Sequence, residues 1–189
     1  MALMHCTDLN ANHQTALRET AVHAIESALA KQDFHPDLDD ADSVLRESGA
    51  SFVTLTKKGD LRGCIGTLEA FQPLLADVAS NARNAAFKDP RFMPVVAEEW
   101  DKCEMSVSVL SSPQPLLVSS EQELKERLKP GRDGLIISCN QHKATFLPSV
   151  WEQLSDPTTF VRELKFKAGL GMDFWSSNMN IYTYQTICF

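Results

Sequence analysis

Apolar and polar positions along this chain change period several times, and the changes mark out its elements. Leu17, Ala21, Val22, Ile25, Ala28 and Leu29 recur at the 3.6-residue spacing of an amphipathic helix, predicted from Thr15 to about Lys31. The acidic stretch Asp37 to Asp42 reads as a solvated loop. Residues Ala50–Leu55 and Leu61–Leu68 read as two β-strands. The Lys57-Lys58-Gly59-Asp60 turn joins them into a hairpin, with Gly59 where positive φ is needed.

Pro73 opens a second helix that aligns Leu74, Leu75, Val78, Ala82, Ala85 and Ala86 on one face. The helix ends near Lys88, because the residue before Pro90 disfavours α geometry, so Asp89-Pro90-Arg91-Phe92 falls on a loop. Met105, Val107 and Val109 alternate with serines as a half-buried strand. Ser120 with Glu123, and Ser149 with Glu152, have the spacing of capping boxes. Between them Pro130 to Gly134 is a turn, and Leu135–Cys139 pairs with Ala144–Leu147 as a second hairpin. Asp156-Pro157 starts a helix that Gly169 or Gly171 stops, and Ile181 to Ile187 is a last strand. Hairpins among helices, without a regular βαβ alternation, give an α+β class.

Composition narrows the function classes. The 189 residues, 43% hydrophobic and 23% charged, supply a normal core in one domain, or a main domain with a smaller companion. A net charge of -7 argues against nucleic acid as a partner and favours small molecules or proteins. Five widely spaced cysteines without a CxxC pair point to a reducing, cytoplasmic setting. The N-terminus lacks the pattern of a secretory signal, and no apolar run is long enough for a membrane span. No P-loop, dinucleotide fingerprint, HExxH, EF-hand or paired-cysteine zinc motif occurs, so no metal is assigned and the cofactor stays unknown.

The candidate chemistry lies in Leu61-Arg62-Gly63-Cys64-Ile65-Gly66. On a regular strand Arg62 and Cys64 share a face, and a guanidinium near a thiol favours the thiolate. Gly63 and Gly66 would let a ligand or another backbone approach. Cys64 is therefore a candidate nucleophile, weighed against the common role of a buried cysteine as a small apolar side chain. Arg62 and Arg91 could hold a carboxylate or phosphate, with Asp89 orienting Arg91 or moving a proton. A structural ion pair tying loop to sheet explains the same residues equally well. His142, Glu69 and Lys167 are weaker candidates, each with a good structural explanation.

The hexapeptide followed by Thr67 resembles the signature of the AMMECR1 family, whose prokaryotic members are called AmmeMemoRadiSam system protein A. The resemblance continues through Phe52–Leu55, Ala85–Pro94, Ser106–Leu110, Asp133–Leu135, Thr145–Trp151 and Lys167–Leu170 to Trp175, nearly the whole chain. It implies a single AMMECR1 domain over 1–189, with mostly antiparallel sheet, packed helices, and large and small subdomains around a cleft near Cys64. It also implies partners similar to Memo-like and radical SAM proteins. Family members commonly carry a cysteine where this chain has Lys165. Two readings follow: a cleft enzyme using Cys64 and Asp89 on a small anionic substrate bound by Arg62, Gly63, Gly66 and Arg91, or a noncatalytic binding or adaptor protein.

Overall fold

The computed structural model describes residues 9–189. Cys6, one of the five cysteines, lies outside the described residues. The chain divides into two compact units, one ending at Ser112 and regaining Ile187–Phe189, the other formed by Pro113–Thr186.

The first unit is a helix-covered antiparallel sheet. Helix α1 (Ala11–Leu29) begins four residues before the predicted start at Thr15, because the Asn10 side chain accepts from the His13 backbone N–H and caps it. The chain leaves α1 through Lys31 in the left-handed region (φ 58). Asp42 caps a single turn, α2 (Ser43–Arg46), which the acidic loop reading did not foresee. Strands β1 (Ser48–Lys57) and β2 (Asp60–Gly66) form the expected hairpin, with Lys58 and Gly59 both at positive φ in its two-residue turn. After the two-residue β3 (Gln72–Pro73), Pro73 sits at the N-cap of α3 (Leu74–Phe87).

A one-turn α4 (Ala97–Trp100) precedes β4 (Cys103–Leu110). The sheet runs β2-β1-β4-β9, where β9 is Thr186–Cys188, so β2 is an edge strand. Val53, Leu55, Val107 and Val109 of the sheet join Leu17 and Ile25 of α1 and Leu74, Val78 and Ala82 of α3 in one core. Each of these side chains is essentially dry, and burying a valine, leucine or isoleucine among them contributes about 1.5–3 kcal/mol.

The second unit has its own four-stranded sheet, ordered β5-β8-β6-β7: β5 (Gln114–Pro115), β8 (Asn180–Tyr184), β6 (Gly134–Cys139) and β7 (His142–Phe146). Ser120 caps α5 (Glu121–Arg127) by accepting from the Glu123 N–H. Asp156 caps α6 (Pro157–Lys167) through the Thr159 N–H, and Gly169 at φ 76 ends it. The Ser149–Glu152 spacing does not form a capping box; Pro148–Glu152 is a 3-10 turn without a side-chain cap. Its Trp151 stacks on Phe160 with ring centroids 3.7 Å apart and donates to the Asp133 carbonyl.

The expected last strand is in fact two. Residues of β8 pair with β6, and after Gln185 the chain forms β9 in the other sheet. Apolar alternation runs through both pieces, so the sequence pattern carries no mark of the change. The class is mixed α+β with antiparallel sheets and packed helices.

Candidate functional site

Gly63 and Gly66 show first what the signature strand does locally. A β-carbon on Gly63 would overlap the Ala85 carbonyl oxygen, and one on Gly66 would overlap the Phe52 ring and the Ser51 carbonyl. The space each glycine leaves is taken by the protein's own backbone and side chains, so α3 seats directly on β2. The register between β1 and β2 shifts at Leu55/Thr56: Leu55 faces Gly63, while Thr56 faces Leu61. Arg62 is the extra residue of this bulge, and strict face alternation ends there. Arg62 and Cys64 accordingly find different partners.

Arg62 Nη2 lies 2.6 Å from Glu99 Oε1 and donates also to the Met93 carbonyl, and its Nε reaches Glu99 Oε2 at 3.4 Å. Lys57 Nζ completes the cluster, 2.6 Å from the same Oε2. The Arg62 and Lys57 donors hold the Glu99 carboxyl down at about 2, against the opposing effect of burial. Arg62 Nη1 is buried without a hydrogen-bond partner. Phe92 lies beneath both guanidiniums, its centroid 5.9 Å from Arg62 Cζ and 5.4 Å from Arg91 Cζ.

Asp89 and Arg91 grip Cys64 by its backbone. As an edge-strand residue, Cys64 has peptide groups available on its outer side. The Cys64 N–H donates to Asp89 Oδ2 at 2.9 Å, and Arg91 Nη2 donates to the Cys64 carbonyl at 3.3 Å. Arg91 in turn places Nε and Nη2 on the two Asp89 oxygens, at 2.9 and 2.6 Å. This bidentate pair holds Asp89 well below the usual carboxylate range, with the Cys64 N–H adding to it against desolvation. The Asp89 side chain is 2% exposed and that of Arg91 54% exposed. The loop thus substitutes for a neighbouring strand along the edge of β2.

The thiol hydrogen-bonds elsewhere, although it is close enough to Arg91 to interact with it electrostatically. Thr54 Oγ1, directly across the hairpin, is 3.3 Å from Cys64 Sγ and is the thiol's hydrogen-bond partner among the described residues. The sulfur belongs to a half-buried residue. Cys103, near Glu99, has its thiol pushed up by burial and then by the Glu99 charge. The weaker candidates lie elsewhere. His142 donates from Nδ1 to the Ala168 carbonyl, and Lys167 Nζ donates to the Thr145 carbonyl over the Phe146 ring, both in the second unit. Glu69 is exposed. Lys165, the position where relatives are expected to carry cysteine, is buried with its ammonium 2.6 Å from Glu121.

Two groups escaped the reading of the sequence. Glu99 is one. The other is the fully buried Asp77, which accepts from Ser51 Oγ, Thr67 Oγ1, Gln72 Nε2 and Asn81 Nδ2. Asn81 also donates to the Ser51 carbonyl, so a dry polar knot pins α3 to β1 just beyond Gly66. The signal available was the pair Asp77 and Asn81 at i,i+4, set among the apolar positions of α3. Among the described residues, no three His, Cys, Asp or Glu side chains group as a metal site would require. No helix among them is long and apolar enough to cross a membrane.

The model of the family AMMECR1 matches residues 18–189. A protein of Methanothermobacter thermautotrophicus is 39% identical over 153 residues, covering 80% of this chain and 80% of its own length. Protein MJ0810 of Methanocaldococcus jannaschii is 38% identical over 150 residues, covering 77% of this chain and 75% of its own. The crystal structure of the uncharacterized protein PH0010 from Pyrococcus horikoshii superposes with a TM-score of 0.81 at 30% identity, covering 93% of this chain and 89% of that one.

Proposed function

The chain belongs to the AMMECR1 family, and on that premise we propose that it is a noncatalytic, cytoplasmic binding component working with Memo-like and radical SAM proteins. One observation carries this reading: the charged groups around Cys64 are committed to each other and to the backbone. Arg62 is held by Glu99, and Arg91 by Asp89. A substrate anion would have to displace carboxylates already in short, charge-assisted contact. The Cys64 thiol meets a hydroxyl, which is no general base at neutral pH. Arginine, aspartate and thiol then serve a shaped, rigid surface for a partner.

A thiol nucleophile at Cys64 is the second reading. In its favour, the sulfur is half-buried, the Arg91–Asp89 pair does not cover it with a hydrogen bond, and Thr54 already orients it. Its substrate anion would have to use the exposed part of Arg91.

Two measurements on the folded protein separate the readings. Iodoacetamide labelling with mass mapping should modify the exposed Cys188 before Cys64, and a Cys64→Ser variant should keep both capture of the Memo-like or radical SAM partner and pathway output. Faster alkylation of Cys64 than of Cys188, together with loss of output in a folded Cys64→Ser that still captures its partners, would establish the nucleophile instead.

A further inference from the structure

Away from the signature strand, α1 and α3 of the first unit leave a groove of about 410 Å³ between them. Its floor is made of small side chains, Ala24 and Ala28 from α1 with Ala76 and Ala79 from α3. One end is closed by the chain that leaves α1, where Phe34 is held edge-on against His23 with centroids 6.1 Å apart. Its volume is within the range of small-molecule sites, roughly 300–1,000 Å³.

The charge of this groove runs against that of the protein. The chain carries -7 overall, and the segment closing the groove has Asp33, Asp37, Asp39 and Asp40. Among the described residues no carboxylate lines the groove; Arg83, Lys88 and His35 do. Among the described residues, the side chains of Arg83 and Lys88 make no hydrogen bond or ion pair. Lys88, at the C-cap of α3, suits the helix dipole, which accounts for its tolerance there. The dipole does not account for Arg83 and Lys88 both lining one concavity beside the polar Ser80 and Asn84 while acidic neighbours stay out.

We infer that the α1–α3 groove binds a small organic phosphate, the phosphate held by Arg83 and Lys88 and the organic part lying on the alanine floor beside Phe34. A guanidinium offers paired donors to phosphate oxygens, and an ammonium and an imidazole add mobile ones. The alanines give a flat apolar body room that larger side chains would fill. This site shares no residue with the Cys64 region, so its fate is independent of the function proposed above.

Phenyl phosphate is the probe, titrated into the full-length protein and followed by backbone amide NMR. The expected result is saturable shifts at Ala28, Ala76, Ser80 and Asn84, with no such shifts from phenol. In a folded Arg83→Gln/Lys88→Gln variant the affinity should fall at least about tenfold, the effect of losing a charge-assisted contact. In Ala76→Leu, which keeps both cations but fills the floor, the shifts should also be lost. Shifts that stay linear to about 10 mM, weaker than any useful site, would overturn the assignment. Equal binding by the double variant, or by Ala76→Leu, would overturn it too, the latter by showing surface charge attraction alone.

Discussion

The first unit carries two concentrations of positive charge that are handled in opposite ways. At the edge of β2, Arg62, Lys57 and Arg91 are each matched to a carboxylate, and both carboxylates are largely buried. In the α1–α3 groove, Arg83 and Lys88 are exposed and, among the described residues, no carboxylate lines the concavity they share. The paired cations contribute to holding the 89–99 segment against the sheet. The unpaired ones contribute little to the fold and keep their hydrogen-bonding capacity for something else. The cations beside the cysteine are each paired with a carboxylate, whereas Arg83 and Lys88 on the surface of α3 make no hydrogen bond or ion pair among the described residues.

Removing the shared carboxylate is the most severe way to break this contrast. Glu99→Ala leaves Arg62, whose side chain is 15% exposed, and Lys57 without a counter-charge. A loss of about 3 kcal/mol is expected, in line with stripping one partner from a buried pair. Urea unfolding at neutral pH measures it. Replacing both Arg62 and Glu99 by methionine should lose clearly less than the sum of the single changes, because no orphan charge remains. If Glu99→Ala costs under about 0.5 kcal/mol, a value typical of surface sites, the clasp is not structural.

Gly63→Ala comes next, at about 2 kcal/mol, the usual scale of forced overpacking. The new methyl group meets the Ala85 backbone oxygen, which cannot move without shifting α3. A stable Gly63→Ala protein would return Gly63 to the role of opening space for a ligand.

The third effect is a dependence on acid. Glu99 is lowered from 4.5 to about 2 in the folded protein, and Asp89 is lowered further below its ordinary 3.8. A carboxylate whose folded value lies below its unfolded one stabilises the fold fully above the unfolded value. That stability is lost as pH falls toward the folded value. The parent protein should therefore weaken steadily from about pH 4.5 to pH 2. Asp89→Asn should be about 1–2 kcal/mol less stable at pH 7, since Arg91 keeps solvent and the Cys64 N–H keeps an acceptor. Its stability should fall less steeply with acid, and an unchanged slope would remove Asp89 from the clasp.

Local rules carried most of the fold and little of this charge pattern. Gly59, Asp156-Pro157 and Gly169 mark their turn and helix ends through φ and capping preferences that belong to single residues, and each acts where the sequence puts it. The bulge at Arg62 depends on how β1 and β2 are matched across the hairpin. The Arg62–Glu99 pair joins residues 37 positions apart, and the Ser51–Asp77 bond spans 26. Such partners are chosen by packing, which spacing along a chain does not encode. Cys64 and Arg91, from two separate blocks of the sequence, do meet, but through the cysteine's carbonyl oxygen.

The mildest prediction is also the one that most directly contrasts the two charged regions. Arg83→Gln/Lys88→Gln removes as much formal positive charge as losing Arg62 and Arg91 together, yet it should change stability by less than about 0.5 kcal/mol. Neither side chain has a hydrogen bond to lose among the described residues, and both changes keep a helix-compatible, straight-chain residue. Removing Lys88 from the C-cap of α3 gives up a little favourable dipole interaction, while glutamine restores a polar contact with water. Thermal unfolding without ligand should therefore superpose on the parent, and phenyl phosphate should raise the midpoint of the parent only, since a ligand stabilises in proportion to its occupancy of the folded state. If the double variant instead unfolds several degrees early without ligand, Arg83 and Lys88 are holding the fold as Arg62 and Arg91 do, and the distinction between the two regions fails.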